Sequence, residues 1–207
     1  MTRPLLIIFL TIFVNLVGFG IIIPLLPFYA ETFGASPLII GLLFAIFSLC
    51  QLIAAPALGD LSDRYGRRPV LIFSLAGTVV SFVMMALAHS LTLLFLARIV
   101  DGLSGGNIST ARAYVADVTE PKDRARAYGL IGAAFGLGFI FGPALSGALS
   151  KYSYTAPIWA AAALTLVATA MAWLWLPETV HRIQAGSGNP FRFLVHSCAG
   201  PGWGACS

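Results

Sequence analysis

Gly59-Asp60-Leu61-Ser62-Asp63-Arg64-Tyr65-Gly66-Arg67-Arg68-Pro69 packs five charges into eleven residues, between apolar runs at 38–58 and 70–88. Each flanking run reaches the roughly 20 apolar residues that a membrane span requires. The same reading, extended outward, finds four more such runs, at 4–30, 91–113, 127–149 and 156–176. The predicted fold is therefore all-α and polytopic, with six transmembrane helices. Composition agrees: of 207 residues, 58% are apolar and 10% charged, and mean hydropathy is +0.90. That is too little polar surface to cover a water-soluble globule. The apolar runs are continuous and do not alternate with period two, which excludes a β-barrel. The first run is too long for the apolar core of a signal peptide and no small-x-small cleavage site follows Ala30, so it reads as a retained span.

The charges sort by loop. Arg3, then Arg64, Arg67 and Arg68, then Arg112, Lys122, Arg124 and Arg126, then Arg182 and Arg192 fall at the amino end, the 2–3 loop, the 4–5 loop and the tail. The opposite loops, 31–37, 89–90 and 150–155, hold one basic residue, Lys151. The positive-inside rule then places both termini in the cytoplasm of a cell (inner) membrane. The net charge of +4 is topogenic, and nucleic acid is not an expected partner. Cys50 lies in mid-membrane, and Cys198 and Cys206 lie in a reducing cytoplasmic tail without zinc-ligand spacing, so neither disulfide nor metal is expected.

Two features point to an internal repeat. Ala55-Pro56-Ala57-Leu58-Gly59 ends the second span and Gly142-Pro143-Ala144-Leu145-Ser146-Gly147 ends the fifth, at an offset of 87 residues that also maps span 1 on span 4 and span 3 on span 6. Two three-helix units, about 4–88 and 91–176, would be inverted in the membrane because each crosses it an odd number of times.

Polar residues inside the spans supply the candidate functional groups. Arg98 and Asp101 sit about 10 and 15 Å down the fourth span at 1.5 Å per residue. An i, i+3 pair there must face the bundle interior or a wet cavity. It reads either as a static, self-neutralising pair or as a carboxylate tuned for proton exchange by the guanidinium. Span 1 carries Asn15, Gly18, Gly20, Pro24 and Pro27 and is expected to bend or partly unwind. Asn15, Gly18, Gly20, Pro24 and Asn107 are the candidates for lining a substrate path. In span 5, Gly129, Gly132, Gly136, Gly138, Gly142 and Gly147 recur at spacings that let a second helix approach to backbone contact.

Gly59-x3-Asp63-Arg64-x-Gly66-Arg67-Arg68 resembles the GxxxDRxGRR signature of the major facilitator superfamily, with Asp60 beside it. Arg98-Ile99-Val100-Asp101-Gly102 is similar to the family's span-4 RxxxG motif, and Gly129-x8-Gly138-x3-Gly142-Pro143-x2-Ser146-Gly147 to its span-5 antiporter motif, with Ser146 in place of a glycine. Span 1 is similar to the tetracycline-efflux and drug/proton antiporter branch. The resemblance implies proton-coupled efflux of small amphipathic or drug-like solutes by alternating access, driven by a proton gradient and needing no cofactor. It implies a gating latch in the 2–3 loop, where Gly59 permits close helix approach and Asp63, Arg64, Arg67 and Arg68 form a charge network. It also implies a proton-transfer role for Arg98 and a bend and seal from Gly138 to Gly147. Tetracycline exporters carry an aspartate at the position of Asn15, so one proton carrier is absent and Asp101 is expected to take over part of its role.

The family has twelve spans and this chain has six. Residues 1–182 read as the six-helix half, and 183–207 as the start of a central loop or a truncated or frame-shifted end. Membrane lipid and a small-molecule substrate are the expected partners, with a second copy or a C-terminal half to complete the pathway. An inactive transporter fragment is the alternative. A distant one is an intramembrane serine protease, because Gly102-Leu103-Ser104-Gly105 fits a GxSG nucleophile string. That chemistry needs a histidine base from span 6, which has none; His89, His181 and His196 fall in loops or the tail.

Overall fold

A computed structural model describes residues 3–105 and 107–177, without the side chains of residues 3, 4 and 107. These residues form seven helices and, among them, no strand: α1 (Arg3–Glu31), α2 (Pro37–Tyr65), α3 (Arg67–Ala86), α4 (Leu91–Leu103), α5 (Asn107–Val118), α6 (Arg124–Leu149) and α7 (Ala156–Trp175). Six stretches are long and apolar enough to cross a membrane, because α4 and α5 together make one span, Leu91–Val118. Local chemistry sets the ends. Ser36 Oγ accepts from the Ile39 N–H and Pro37 takes the first turn of α2, while Ser90 Oγ accepts from the Leu93 N–H at the start of α4.

Three elements differ from the sequence expectation. First, α1 is helical throughout, with Pro24 and Pro27 inside it, so no unwinding occurs there. The discontinuity lies instead in the fourth span, between Leu103 and Asn107. Second, α2 continues through the charged stretch to Tyr65, and the connection to α3 shrinks to Gly66, whose φ of 103° suits a residue without Cβ. Water satisfies the emerging turns, so the helix has no reason to stop at the membrane boundary. Third, α5 runs to Val118, past the expected end of the fourth span at 113, and so carries Asp117 inside the helix.

The span pairs with substantial contact are 1·5, 1·6, 3·6, 2·4, 3·4, 2·3, 5·6, 1·4, 4·5 and 1·2. This set maps onto itself when 1 and 4, 2 and 5, and 3 and 6 are exchanged. Along the helices, two apolar clusters, one around Ile21, Leu25, Phe82 and Leu94 and one around Ile12, Leu71, Tyr114 and Ile131, flank a run of buried polar positions. That run includes Asn15, Ser74, Thr78, Arg98, Asp101 and Thr165.

Spans 1 and 5 approach to backbone contact. A Cβ on Gly20 would lie 2.7 Å from the Gly138 carbonyl oxygen, and one on Gly142 would lie 2.5 Å from the Gly20 carbonyl carbon. Gly129, Gly132, Gly136 and Gly147, on the other side of α6, meet nothing within 4 Å. Gly142→Val should therefore destabilise the bundle by about 2 kcal/mol or more in reversible denaturant unfolding in detergent. Gly129→Ala should leave it unchanged or raise it by up to about 1 kcal/mol through helix propensity. Equal effects at the two sites would contradict this packing.

Candidate functional site

Arg98 and Asp101 are 1% and 3% exposed, the two charged residues among the buried polar set. One turn of α4 brings Arg98 Nη1 to 2.9 Å from Asp101 Oδ2. The guanidinium carbon also lies 4.2 Å from the centroid of the Phe47 ring on α2, so the charge is held by a carboxylate on one side and an aromatic face on the other. Arg98 Nε is buried without an acceptor. The Thr78 hydroxyl on α3, which donates to the Ser74 carbonyl at 3.3 Å, lines the same cavity as the Asp101 carboxylate.

Beside the carboxylate lies a cavity of about 40 Å³, lined by Asn15, Leu16, Phe19, Phe47, Gln51, Thr78, Asp101, Gly105 and Ile108. It is roomy and polar enough for a water molecule. Gln51 Nε2 donates to the Gly105 carbonyl at 3.2 Å, tying α2 to the break between α4 and α5. The same contact is tight at Gly102, where a Cβ would meet the Phe47 carbonyl oxygen at 2.5 Å. Four spans thus converge on one acid.

Arg98 pairs with Asp101, and Asn15 of α1 lines the same cavity as Asp101. The structure does not bring Gly18, Gly20 or Pro24 to this cavity. Gly18 packs on Thr165 and Ala161 of α7, Gly20 packs on α6, and Pro24 lies within α1. The side chain of Asn107 lies outside the described residues. Sequence reasoning missed Phe47, Gln51 and Thr78. Gln51 carried a signal, as the one amide or charged residue in the run 38–58.

At the charged end of the bundle, Arg67 ion-pairs with Asp63 one turn earlier, donates from Nη1 to Ser62 Oγ at 2.7 Å, and donates from Nε to Asp117 Oδ2 on α5 at 3.0 Å. Arg68 donates to the Trp173 carbonyl on α7. Asp60 and Arg64 are exposed. The network therefore ties spans 2 and 3 to spans 4 and 6, and its interhelical acid is Asp117, which sequence reasoning missed because that segment was read only for orientation. Gly59 meets nothing within 4 Å, so it permits no close helix approach within this bundle. In the span-5 motif, Gly138 and Gly142 pack on α1, whereas Gly129, Pro143 and Gly147 are exposed.

Ser104 of the GxSG string is buried against Gly77. His89 lies before the start of α4, about 20 Å away along a thirteen-residue helix. His181 and His196 lie outside the described residues, as do Arg182, Arg192, Cys198, Cys206 and the whole segment 183–207. Among the described residues no cluster of three or more metal-ligating side chains occurs.

The Arg67–Asp117 contact is partly solvated and should be worth about 0.5–1 kcal/mol. A double-mutant cycle of Arg67→Ala and Asp117→Ala, read by unfolding in detergent, should return that coupling and lose part of it in high salt. A coupling of zero would contradict the geometry.

The comparisons with known proteins point one way. The sequence profile of the Major Facilitator Superfamily matches residues 8–204. The chain is 42% identical over 178 residues to a class G tetracycline resistance protein of Vibrio anguillarum, covering 84% of this chain and 45% of that protein. It is 42% identical over 165 residues to a class C tetracycline resistance protein of Escherichia coli, covering 78% of this chain and 42% of that protein. Among solved structures, the human organic anion transporter MFSD10 superposes with a TM-score of 0.76 at 29% identity, over 86% of this chain and 48% of that one. The chain thus spans a little under half the length of these relatives. With six spans, the buried pair of the fourth span and a profile match over most of its length, this chain belongs to the Major Facilitator Superfamily.

Proposed function

We propose that this chain is one six-span half of a proton-coupled secondary transporter that exports small amphipathic or drug-like solutes. The observation that carries the reading is the Arg98–Asp101 pair, buried in mid-span beside a polar cavity. A charged pair at that depth is costly and is retained where it does work. A proton reaching Asp101 through the cavity neutralises the carboxylate and removes the counter-charge of Arg98. Arg98 stays against Phe47 of the second span, so the change is felt where Gly102 and Gly105 pack on that span. Proton binding thereby biases one packed arrangement of spans 2 and 4 over another, which is what alternating access requires. The names of the relatives, for tetracycline resistance and for organic anion transport, support a small organic solute. They also favour transport over an inert assembly fragment and over a protease.

In this reading the two three-helix units are inverted repeats, in line with the exchangeable set of span contacts. The face of α6 around Gly136 and Gly147 and the exposed face of α2 are docking surfaces for a second six-span half. The arginine-rich ends lie in the cytoplasm.

The test uses the chain reconstituted in proteoliposomes together with whatever second half it recruits. Asp101→Asn should reduce substrate-driven proton movement at least about tenfold while substrate counterflow, which moves no net proton, persists. Asn preserves the shape but leaves Arg98 without its counter-charge, so size-exclusion chromatography of the variant checks that the bundle is assembled. Unchanged proton coupling in Asp101→Asn would sink the assignment.

A further inference from the structure

One basic side chain has no place in the sites above. Arg112 sits on α5, within the fourth span, on its exposed side. Counted from Leu91 it lies about 31 Å along the span, at the arginine-rich boundary of a roughly 30 Å hydrocarbon core. A guanidinium there is open to water and to a dissolved anion. Among the described residues Arg112 makes no hydrogen bond or ion pair.

Around it lies an open groove of about 380 Å³ between α5 and α6, lined by Arg112, Tyr128, Ile131, Gly132 and Phe135. Arg124, the first residue of α6, donates to the Ala116 carbonyl of α5 at 3.2 Å and ties the two helices together beyond the groove. No acid is among the residues lining the groove. Asp117 pairs with Arg67, Glu120 pairs with Lys122, and Asp123 lines a separate cavity with Leu5 and Arg126. The groove is therefore electropositive on one side and aromatic on the other. Its volume falls in the range of small-molecule sites, and a glycine at 132 leaves its floor open.

We propose that this groove binds the anionic group of an amphipathic organic anion, with Arg112 holding a carboxylate and Tyr128 and Phe135 taking a flat apolar body. The inference deepens the transport reading by naming the charge class of the substrate, and rests on that reading only for the translocation step. A carboxylate fits because a guanidinium presents two parallel donors to it. The occupant is a solute arriving from water; an anionic lipid headgroup offers similar chemistry and is separated by the test.

The probes are 2-naphthoate and 2-naphthalenemethanol, alike in ring and opposite in charge class, titrated against the full chain in phosphatidylcholine nanodiscs. The naphthoate should bind about tenfold more tightly than the alcohol. Arg112→Gln should bring the two within about twofold while leaving the alcohol unchanged, and Arg112→Lys should keep part of the preference. Lys122→Gln, which removes the same net charge outside the groove, should change nothing. A naphthoate preference that survives Arg112→Gln overturns the proposal. So does phosphatidylglycerol, added to the nanodiscs, displacing the naphthoate in an Arg112-dependent way, because the groove is then a lipid site. Because binding is read without transport, a preserved preference in a chain that moves neither probe supports this inference and counts against the transport reading alone.

Discussion

A guanidinium and a carboxylate one helical turn apart, in the middle of a span, impose the strongest constraint on this structure. Neither charge can face lipid, so the fourth span must turn that face inward, and partners must come from other spans to complete the shell. Phe47 and Gln51 come from α2, Thr78 from α3 and Asn15 from α1. Removing one member of such a pair would leave a bare buried charge, at a cost of about 3–5 kcal/mol. The pair thus fixes the rotation of α4 and, through it, the registry of the spans packed on it. A break at the end of α4 follows the same logic: the freed Gly105 carbonyl is satisfied by Gln51 from a neighbouring span.

Helix packing supplies the second constraint. Lipid offers no hydrophobic drive for helices to associate, so contact relies on close approach at small residues. Gly20, Gly138 and Gly142 provide that between spans 1 and 5, within one face of α6. The opposite face repeats small residues with nothing against them, and Gly59 on α2 is equally open. Motif glycines therefore divide into those that build this bundle and those that would build contacts beyond it. The same division holds for charge: Arg67 and Arg68 knit spans together, whereas Asp60, Arg64 and Arg112 face outward.

Much of this was legible in the residues. Span number followed from apolar run length, because hydrocarbon thickness leaves few alternatives, and Arg98 with Asp101 stood out because charges are rare at that depth. Other features were not legible, each for a physical reason. The prolines of α1 suggested a broken helix, yet α1 stays helical and the break falls in the fourth span, where Gly102 and Gly105 pack on α2. Asp117 lay past the expected end of the fourth span at 113 and Arg112 at its last turn, and the extension of α5 to Val118 put one in a network and the other beside a groove. Phe47 and Thr78 are ordinary span residues by sequence; their role depends on the crossing of three helices, which no local pattern encodes. Gly18 and Gly20, expected to line a substrate path, pack on α7 and α6, a helix pairing that no pattern within span 1 encodes.

The central claim is that Asp101 exchanges a proton within this buried shell. Infrared difference spectroscopy on the reconstituted chain, titrated over the pH range in which it stays folded, tests it directly. The account predicts a carboxylic-acid carbonyl band that appears as the pH falls and is lost in Asp101→Asn. A spectrum with no such band at any of these pH values, or one that Asp101→Asn leaves intact, would contradict it.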